Sequence, residues 1–270
     1  MTSRLVASTG RFHTYSLDGK RVPGVTTITG AMDKGGLANA AAKEVALWAA
    51  IHAGELDTLG ADEWAQLASG AHRRKWDVSR DNGTAVHHIA HRLVFGEPVP
   101  DEGPDGLPWS DDVRRMGEQA ARWMDRWDVE PILVEAPVFY DGRRPYAGTL
   151  DLVADLKDGA RWLLDWKTSE SGIWHETALQ VCAYGNATHV QIGARGPNRD
   201  ETDQLMPKVD RYGALWIRPD HCQLIPLHVT TDTFRVFRAL QQVQAWAAQK
   251  RDLVVGAALP LPKKTTGDAA

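Results

Sequence analysis

Residues 146–167, YAGTLDLVADLKDGARWLLDWK, decide the fold. Two runs rich in β-branched, aromatic and leucine residues flank Lys157-Asp158-Gly159, where glycine can take the left-handed position of a tight hairpin loop. Closing the hairpin there sets Leu156 opposite Ala160, Val153 opposite Leu163 and Asp151 opposite Asp165. Side chains alternate along a strand, so Asp151, Asp165 and Lys167 share one face. The other face collects Leu150, Leu152, Ala154, Leu156, Trp162, Leu164 and Trp166, enough apolar surface to be a buried side.

The preceding run, Ile132 to Tyr140, extends the pattern through the turn-forming cluster Asp141-Gly142-Arg143-Arg144-Pro145. Folding about Arg143 pairs Tyr140 with Tyr146 and puts Glu135 opposite Asp151. Carboxylates from adjacent strands would then lie in a row, which destabilises a sheet unless a cation neutralises them. On spacing alone the row is either a metal site or a set of solvent-facing acids. A slip of one residue would send a carboxylate to the other face.

The chain has 270 residues, 43% hydrophobic and 24% charged, the balance of a soluble globular protein with a sizeable core. No apolar run approaches the roughly 18 residues of a membrane span, and the N-terminus lacks a signal-peptide pattern. Cys182 and Cys222 are too few for a disulfide framework or a four-cysteine metal centre. A cytoplasmic setting is therefore expected. The net charge of −4 argues against indiscriminate coating of nucleic acid. It leaves room for local basic patches such as Arg73-Arg74-Lys75, Arg114-Arg115, Arg143-Arg144 and Lys263-Lys264.

Along the chain, Phe12 to Val22 predicts a short hairpin turning at Asp18-Gly19, followed by an extended piece over Val25 to Ile28. Helices are expected over Leu37 to Ala53 and from Ala61 to about Ala71, with Trp64 and Leu67 packing on the first. Asp81-Asn82-Gly83-Thr84 reads as a break capping a further helix from about Ala85 to Phe95. On that helix His87 and His91 share a face, but His88 stands where an H-E-x-x-H protease needs its glutamate, so that chemistry is excluded. Gly96 to Pro108 is loop. Ser110 opens a helix to about Trp127 whose stripe of Met116, Ala120, Trp123 and Trp127 has core spacing, with base stacking as the alternative. Thr168 to Ser171 leads into a helix from about Ile173 to Ala187 that sets Gln180 and Tyr184 on one face. His189 to Asp210 reads as a polar connection, long enough to be functional or to hide an element. Strands over Tyr212 to Arg218 and Gln223 to Val229 and a helix from Thr231 to about Lys250 complete the α/β pattern. The expected organisation is an N-terminal hairpin and helical part over residues 1–80, a core over 81–255, and a disordered tail over 256–270.

Four pieces in this order, Gly83-Thr84-Ala85-Val86-His87, Gly148-Thr149-Leu150-Asp151, Asp165-Trp166-Lys167 and Gln180-Val181-Cys182-Ala183-Tyr184, carry a family pattern. The chain resembles the RecB-like branch of the PD-(D/E)XK nucleases, which includes CRISPR-associated adaptation exonucleases and many phage exonucleases. Its opening HTYSLDGKRVPGVTTI, residues 13–28, is similar to the N-terminus of phage members. The motifs cover residues 83–184, and a general similarity covers most of the chain. The resemblance implies a restriction-endonuclease-like core: a mixed, mainly antiparallel central sheet flanked by helices, with an N-terminal helical part.

It also implies a Mg²⁺- or Mn²⁺-dependent DNA exonuclease, phage-encoded, used in recombination, replication or DNA degradation. A structure- or sequence-specific endonuclease on the same fold and a catalytically inactive DNA-binding module are the alternatives. His87, Asp151, Asp165 and the backbone carbonyl of Trp166 would hold the metal, with Glu135 as a further ligand, directly or through a second ion or a bound water. Lys167 would orient the attacking water and stabilise charge on the phosphate, while Gln180 and Tyr184 would position helix and substrate. DNA is the expected partner, with a recombination or replication protein as a further candidate and no membrane. Many relatives carry four cysteines for an iron–sulfur cluster. This chain has two, so no such cluster is expected.

Overall fold

The computed structural model describes residues 4–8, 13–32, 35–193, 202–250 and 253–259. Three short strands come first: β1 (Leu5–Ser8), β2 (Thr14–Leu17) and β3 (Lys20–Val22), antiparallel and paired in that order. The expected turn at Asp18-Gly19 is present, with both residues at positive φ (50° and 74°), the backbone shape that an Asp-Gly pair adopts at low cost. Gly24 bridges to Ala147, and the Pro23 carbonyl accepts from the Ala147 amide at 3.1 Å. The small sheet is thereby fastened to the main one.

Val25 to Ile28, expected to be extended, instead belongs to a helix, α1 (Val25–Thr29). Both residues are fully buried, and tertiary burial outweighs the weak strand preference of this β-branched stretch. Next come α2 (Gly36–Ile51), α3 (Leu56–Leu59), α4 (Ala61–Ser69) and α5 (Ala71–Val94). Trp48 and Trp64 meet at 5.8 Å between ring centroids and lock α4 onto α2. The break expected at Asp81-Asn82-Gly83-Thr84 does not occur: α5 runs through it without interruption, and across the expected boundary at residue 80. Thr84 returns its hydroxyl to the Arg80 carbonyl at 3.1 Å, a local bond that a helix tolerates. Gly83 serves close approach, because a Cβ there would stand 3.3 Å from the Thr168 hydroxyl.

Ser110 caps α6 (Asp111–Trp127) by accepting from the Val113 amide at 3.3 Å, a contact worth about 1 kcal/mol. Met116, Ala120 and Trp123 on its stripe are buried, and Trp127 stacks on Trp123 at 5.7 Å. Trp123 is core, and Trp127 packs against that core partly buried.

The remaining elements are β4 (Glu130–Tyr140), β5 (Tyr146–Asp155), β6 (Arg161–Lys167), α7 (His175–Gly185), β7 (His189–Ile192), β8 (Thr202–Leu205), β9 (Arg211–Ile217), β10 (Cys222–Pro226) and α8 (Thr231–Ala247). The strands form one seven-stranded sheet in the order β10-β9-β6-β5-β4-β7-β8. It is mixed and mainly antiparallel, with β6 and β9 the parallel pair. Helices flank it, and the N-terminal part is largely helical, so the α/β class expected from the sequence is the observed one. The stretch from His189 to Asp210 contains β7 and β8, where a polar connection was expected. Strands of four residues are too short to show a period. Residues 194–201 and most of the expected tail lie outside the described residues.

The register around Arg143 and Gly159 is as expected: Tyr140 pairs with Tyr146, Val153 with Leu163. The faces differ. Leu152, Ala154, Leu156, Trp162, Leu164 and Trp166 pack against α5 and α6, whereas Leu150 belongs to the opposite core, with Val138, Leu179 and Tyr184. Residues two apart in a regular strand share a face. Strand β5 therefore changes face between Leu150 and Leu152, and β4 does the same between Val134 and Ala136. The cause is local. Glu135 sits at φ 46°, in the left-handed region, and this turns the strand over at the residue facing Asp151.

Candidate metal centre

The face change puts Glu135 and Asp151 between the two cores, where neighbouring residues of β4 and β5 switch from one side of the sheet to the other. The β5–β6 ladder stops at Leu152 and Leu164. Beyond it the Asp151 carboxylate takes over from the missing backbone partner, Oδ2 accepting from the Trp166 amide at 2.8 Å. Charged side chains gather where this backbone pairing ends.

On one side α5 brings in His87. Its Nδ1 lies 3.6 Å from Glu135 Oε1 and 3.8 Å from Asp151 Oδ1. These three side chains each offer a ligand atom within 4.8 Å of the others, a set that could hold a metal ion. Continuity of α5 matters here, because Gly83 fixes the helix against Thr168 one turn before His87. On the other side β6 presents Asp165 and Lys167 toward α7. Asp165 is 1% exposed, and neither of its oxygens accepts a hydrogen bond of acceptable geometry. Its partner is the Lys167 ammonium, set against Oδ2. Lys167 also reaches Gln180 Oε1 at 3.5 Å, and Gln180 Nε2 donates to the Tyr184 hydroxyl at 3.2 Å. Tyr184 fits because residue 148 is glycine: a Cβ there would stand 2.5 Å from its ring.

Charge crowding shows in the proton affinities. Burial works against the His87 imidazolium, but Asp151 and Glu135 outweigh it and raise the group to about 9. Burial, aided by Asp165 and Glu135, pushes Asp151 well above the ordinary carboxylate range, with His87 and Lys167 opposing. Lys167 is raised too, since Asp165 and Asp151 overcome its burial. Burial and the same two carboxylates keep the Tyr184 hydroxyl protonated. A site in which Asp151 tends to hold its proton and His87 carries one has collected more negative charge than its own cations neutralise.

A divalent cation fits this surplus. Carboxylate oxygens and one imidazole suit a hard or borderline ion. Lys167 already occupies Asp165 Oδ2, and the buried Oδ1, with no donor, is an acceptor that a cation would satisfy.

The structure thus brings His87, Glu135 and Asp151 together as a possible metal-holding trio and sets Asp165, Lys167, Gln180 and Tyr184 beside them. Of Trp166 it shows the amide engaged by Asp151. Cys182 lies in α7 and Cys222 in β10, both with free thiols. Two contributors escaped the sequence. Tyr15 of β2 places its hydroxyl 3.1 Å from Thr149 Oγ1, two residues from Asp151. Glu176, on the first turn of α7, acts on Lys167 through its charge. Tyr15 carries no local signal because β2 is distant in sequence, and Glu176 is close in sequence but belongs to none of the motifs. No helix among the described residues is long and apolar enough to cross a membrane.

No family model matches the chain, and no curated protein is significantly similar to it. The chemistry of the site therefore rests on its geometry.

Proposed function

We propose that the chain is a metal-dependent nuclease of the RecB-like PD-(D/E)XK type, hydrolysing DNA phosphodiester bonds from an end. The phage setting, in recombination, replication or DNA degradation inside the host cytoplasm, belongs to the same proposal. One observation carries it: a helix and two strands converge His87, Glu135 and Asp151, with the Asp165–Lys167 pair on the adjoining strand.

His87, Glu135, Asp151 and Asp165 would hold Mg²⁺ or Mn²⁺, with the Trp166 carbonyl as a further oxygen, and the imidazole favours Mn²⁺. The bound ion would supply an acidified water and Lewis acidity at the phosphate. The chain's own residues supply the rest. Lys167 carries a positive charge beside the place where phosphate charge accumulates, an electrostatic contribution that a fixed ammonium makes without reorganisation. Asp165 and Gln180 hold that ammonium. Tyr184 fixes the Gln180 amide, and a hydroxyl that stays protonated can donate to a substrate oxygen.

The test is cleavage of end-labelled linear DNA with Mn²⁺ or Mg²⁺, against covalently closed DNA. Linear DNA should be degraded and closed circles spared, and cutting should fall by at least about a thousandfold in Asp165→Ala and Lys167→Ala. Undiminished cutting by purified Asp165→Ala would reject the assigned site.

A further inference from the structure

The loop that follows Lys167 holds a tryptophan in solvent. Residues 168–174 join β6 to α7 and end at Trp174, which is 52% exposed. Exposed tryptophans that serve no packing are usually free to move. This one is tied down. Its Nε1 donates to Ser171 Oγ at 2.9 Å, and Ser171 Oγ lies 3.0 Å from Ser169 Oγ. The Ser169 carbonyl accepts from Trp216 Nε1 at 2.8 Å, and the Thr168 carbonyl accepts from Arg218 at 2.6 Å. At the other end the Trp174 carbonyl accepts from the Thr177 amide at 3.0 Å, within the first turn of α7.

The same loop is fixed relative to the metal centre on three sides. Lys167 precedes it directly, Thr168 abuts Gly83 one helical turn before His87, and Glu176 acts on Lys167 from just beyond it. Ordering a large side chain in water costs conformational entropy. Here hydrogen bonds hold a flat apolar ring in place, seven residues along the chain from Lys167, with half of its surface uncovered.

We propose that Trp174 is a stacking platform for an unpaired nucleobase of the DNA strand cut at this site. The inference rests on the nuclease reading and adds a substrate class to it. A base can lie on the indole only where it is unstacked from its neighbours, so the strand must be single or frayed near the scissile bond. Stacking on an aromatic ring is tolerant of sequence, because every base has a π-face. The platform therefore selects strandedness without selecting sequence.

The experiment compares the full chain with Trp174→Ala and Trp174→Phe. Binding to a fluorescent single-stranded oligonucleotide is followed by anisotropy with Ca²⁺, and cleavage is followed in parallel with Mn²⁺. The oligonucleotide is used intact and with one abasic position moved along it. Trp174→Ala should weaken binding of the intact strand roughly tenfold, and Trp174→Phe should recover most of the loss. One abasic position should weaken binding to the unaltered protein by a similar factor and leave Trp174→Ala unaffected. An unchanged affinity in Trp174→Ala, or an abasic penalty of equal size with and without the indole, overturns the inference while nuclease activity stands. Absence of any abasic penalty in the unaltered protein and in Trp174→Phe overturns it without reference to the alanine variant. Failure of the unaltered protein to bind or cut DNA removes both the nuclease reading and the platform.

Discussion

The two ends of the β5–β6 hairpin are built for different purposes. At the turn end, pairing is regular from Leu152–Leu164 to Asp155–Arg161, the inward side chains are apolar, and Asp158 ties the loop to the Ala160 amide and the Trp162 indole. At the open end the ladder stops, an aspartate stands in for the backbone partner, and the buried carboxylates of Asp151 and Asp165 meet the half-buried ammonium of Lys167. The contrast teaches that one hairpin can carry both fold and chemistry when pairing is abandoned at one end. The regular half supplies the rigidity that keeps a repulsive cluster together.

The comparison can be broken or sharpened in order of expected effect. Leu164→Ala, at the regular end, removes a fully buried side chain and should destabilise the fold by about 2–5 kcal/mol. Urea unfolding measures this, and a loss below about 1 kcal/mol would mean that the regular end does not carry the stability assigned to it. Asp151→Asn, at the open end, should behave in the opposite way. It keeps an oxygen for the Trp166 amide but removes a charge, so Mn²⁺ affinity should fall on the order of a hundredfold or more. The metal-free protein should unfold at an unchanged or higher temperature. Calorimetric titration and a melting curve on the same sample check both halves.

Metal affinity should also depend on pH in a defined direction. His87 is raised from 6.5 to about 9 in the metal-free site, and a ligating imidazole must give up its proton. Affinity for Mn²⁺ should rise between pH 7 and 9, by about tenfold per pH unit while one proton is displaced, and flatten above. The metal-free fold follows the reverse course. A group that holds its proton more tightly when folded contributes stability that is full below 6.5 and lost as pH rises through about 9. Titration in buffers of different ionisation heat counts the released protons, and a flat affinity across this interval would remove His87 from the ligand set. Smallest of all, Asp155→Ala breaks a half-exposed pair with Arg161 and should leave the urea midpoint almost unchanged.

How much was legible beforehand varies from residue to residue. The pairing of Val153 with Leu163 and of Tyr140 with Tyr146 follows from turn chemistry, because Asp-Gly and Gly-Arg-Arg-Pro segments close hairpins in few ways. The place of Glu135 opposite Asp151 follows from strand register, and His87 beside them is what the motif resemblance implies; His87 Nδ1 lies 3.6 Å and 3.8 Å from the two carboxylates. Leu150 lies on the face opposite to the expected one, because a period-two pattern assumes an unbroken pleat and β5 changes face between Leu150 and Leu152, beside the left-handed Glu135 of β4. The continuity of α5 was missed because Asp81-Asn82-Gly83-Thr84 carries local stop signals. A helix anchored by buried residues such as Val86, Ile89 and Ala90 can override those when the glycine is needed for contact with Thr168.

The sequence by itself determined the hairpin register, the amphipathic stripe of α6, the α/β class and the residue types able to bind a cation. Each follows from interactions between residues near in the chain or from simple alternation. Tertiary structure alone decided that the strands turn over at Glu135, that Asp165 is sealed from water against Lys167, and that the Trp174 ring is held in the open. Those outcomes depend on which distant element arrives to pack, donate or exclude solvent, and no local pattern encodes that arrival.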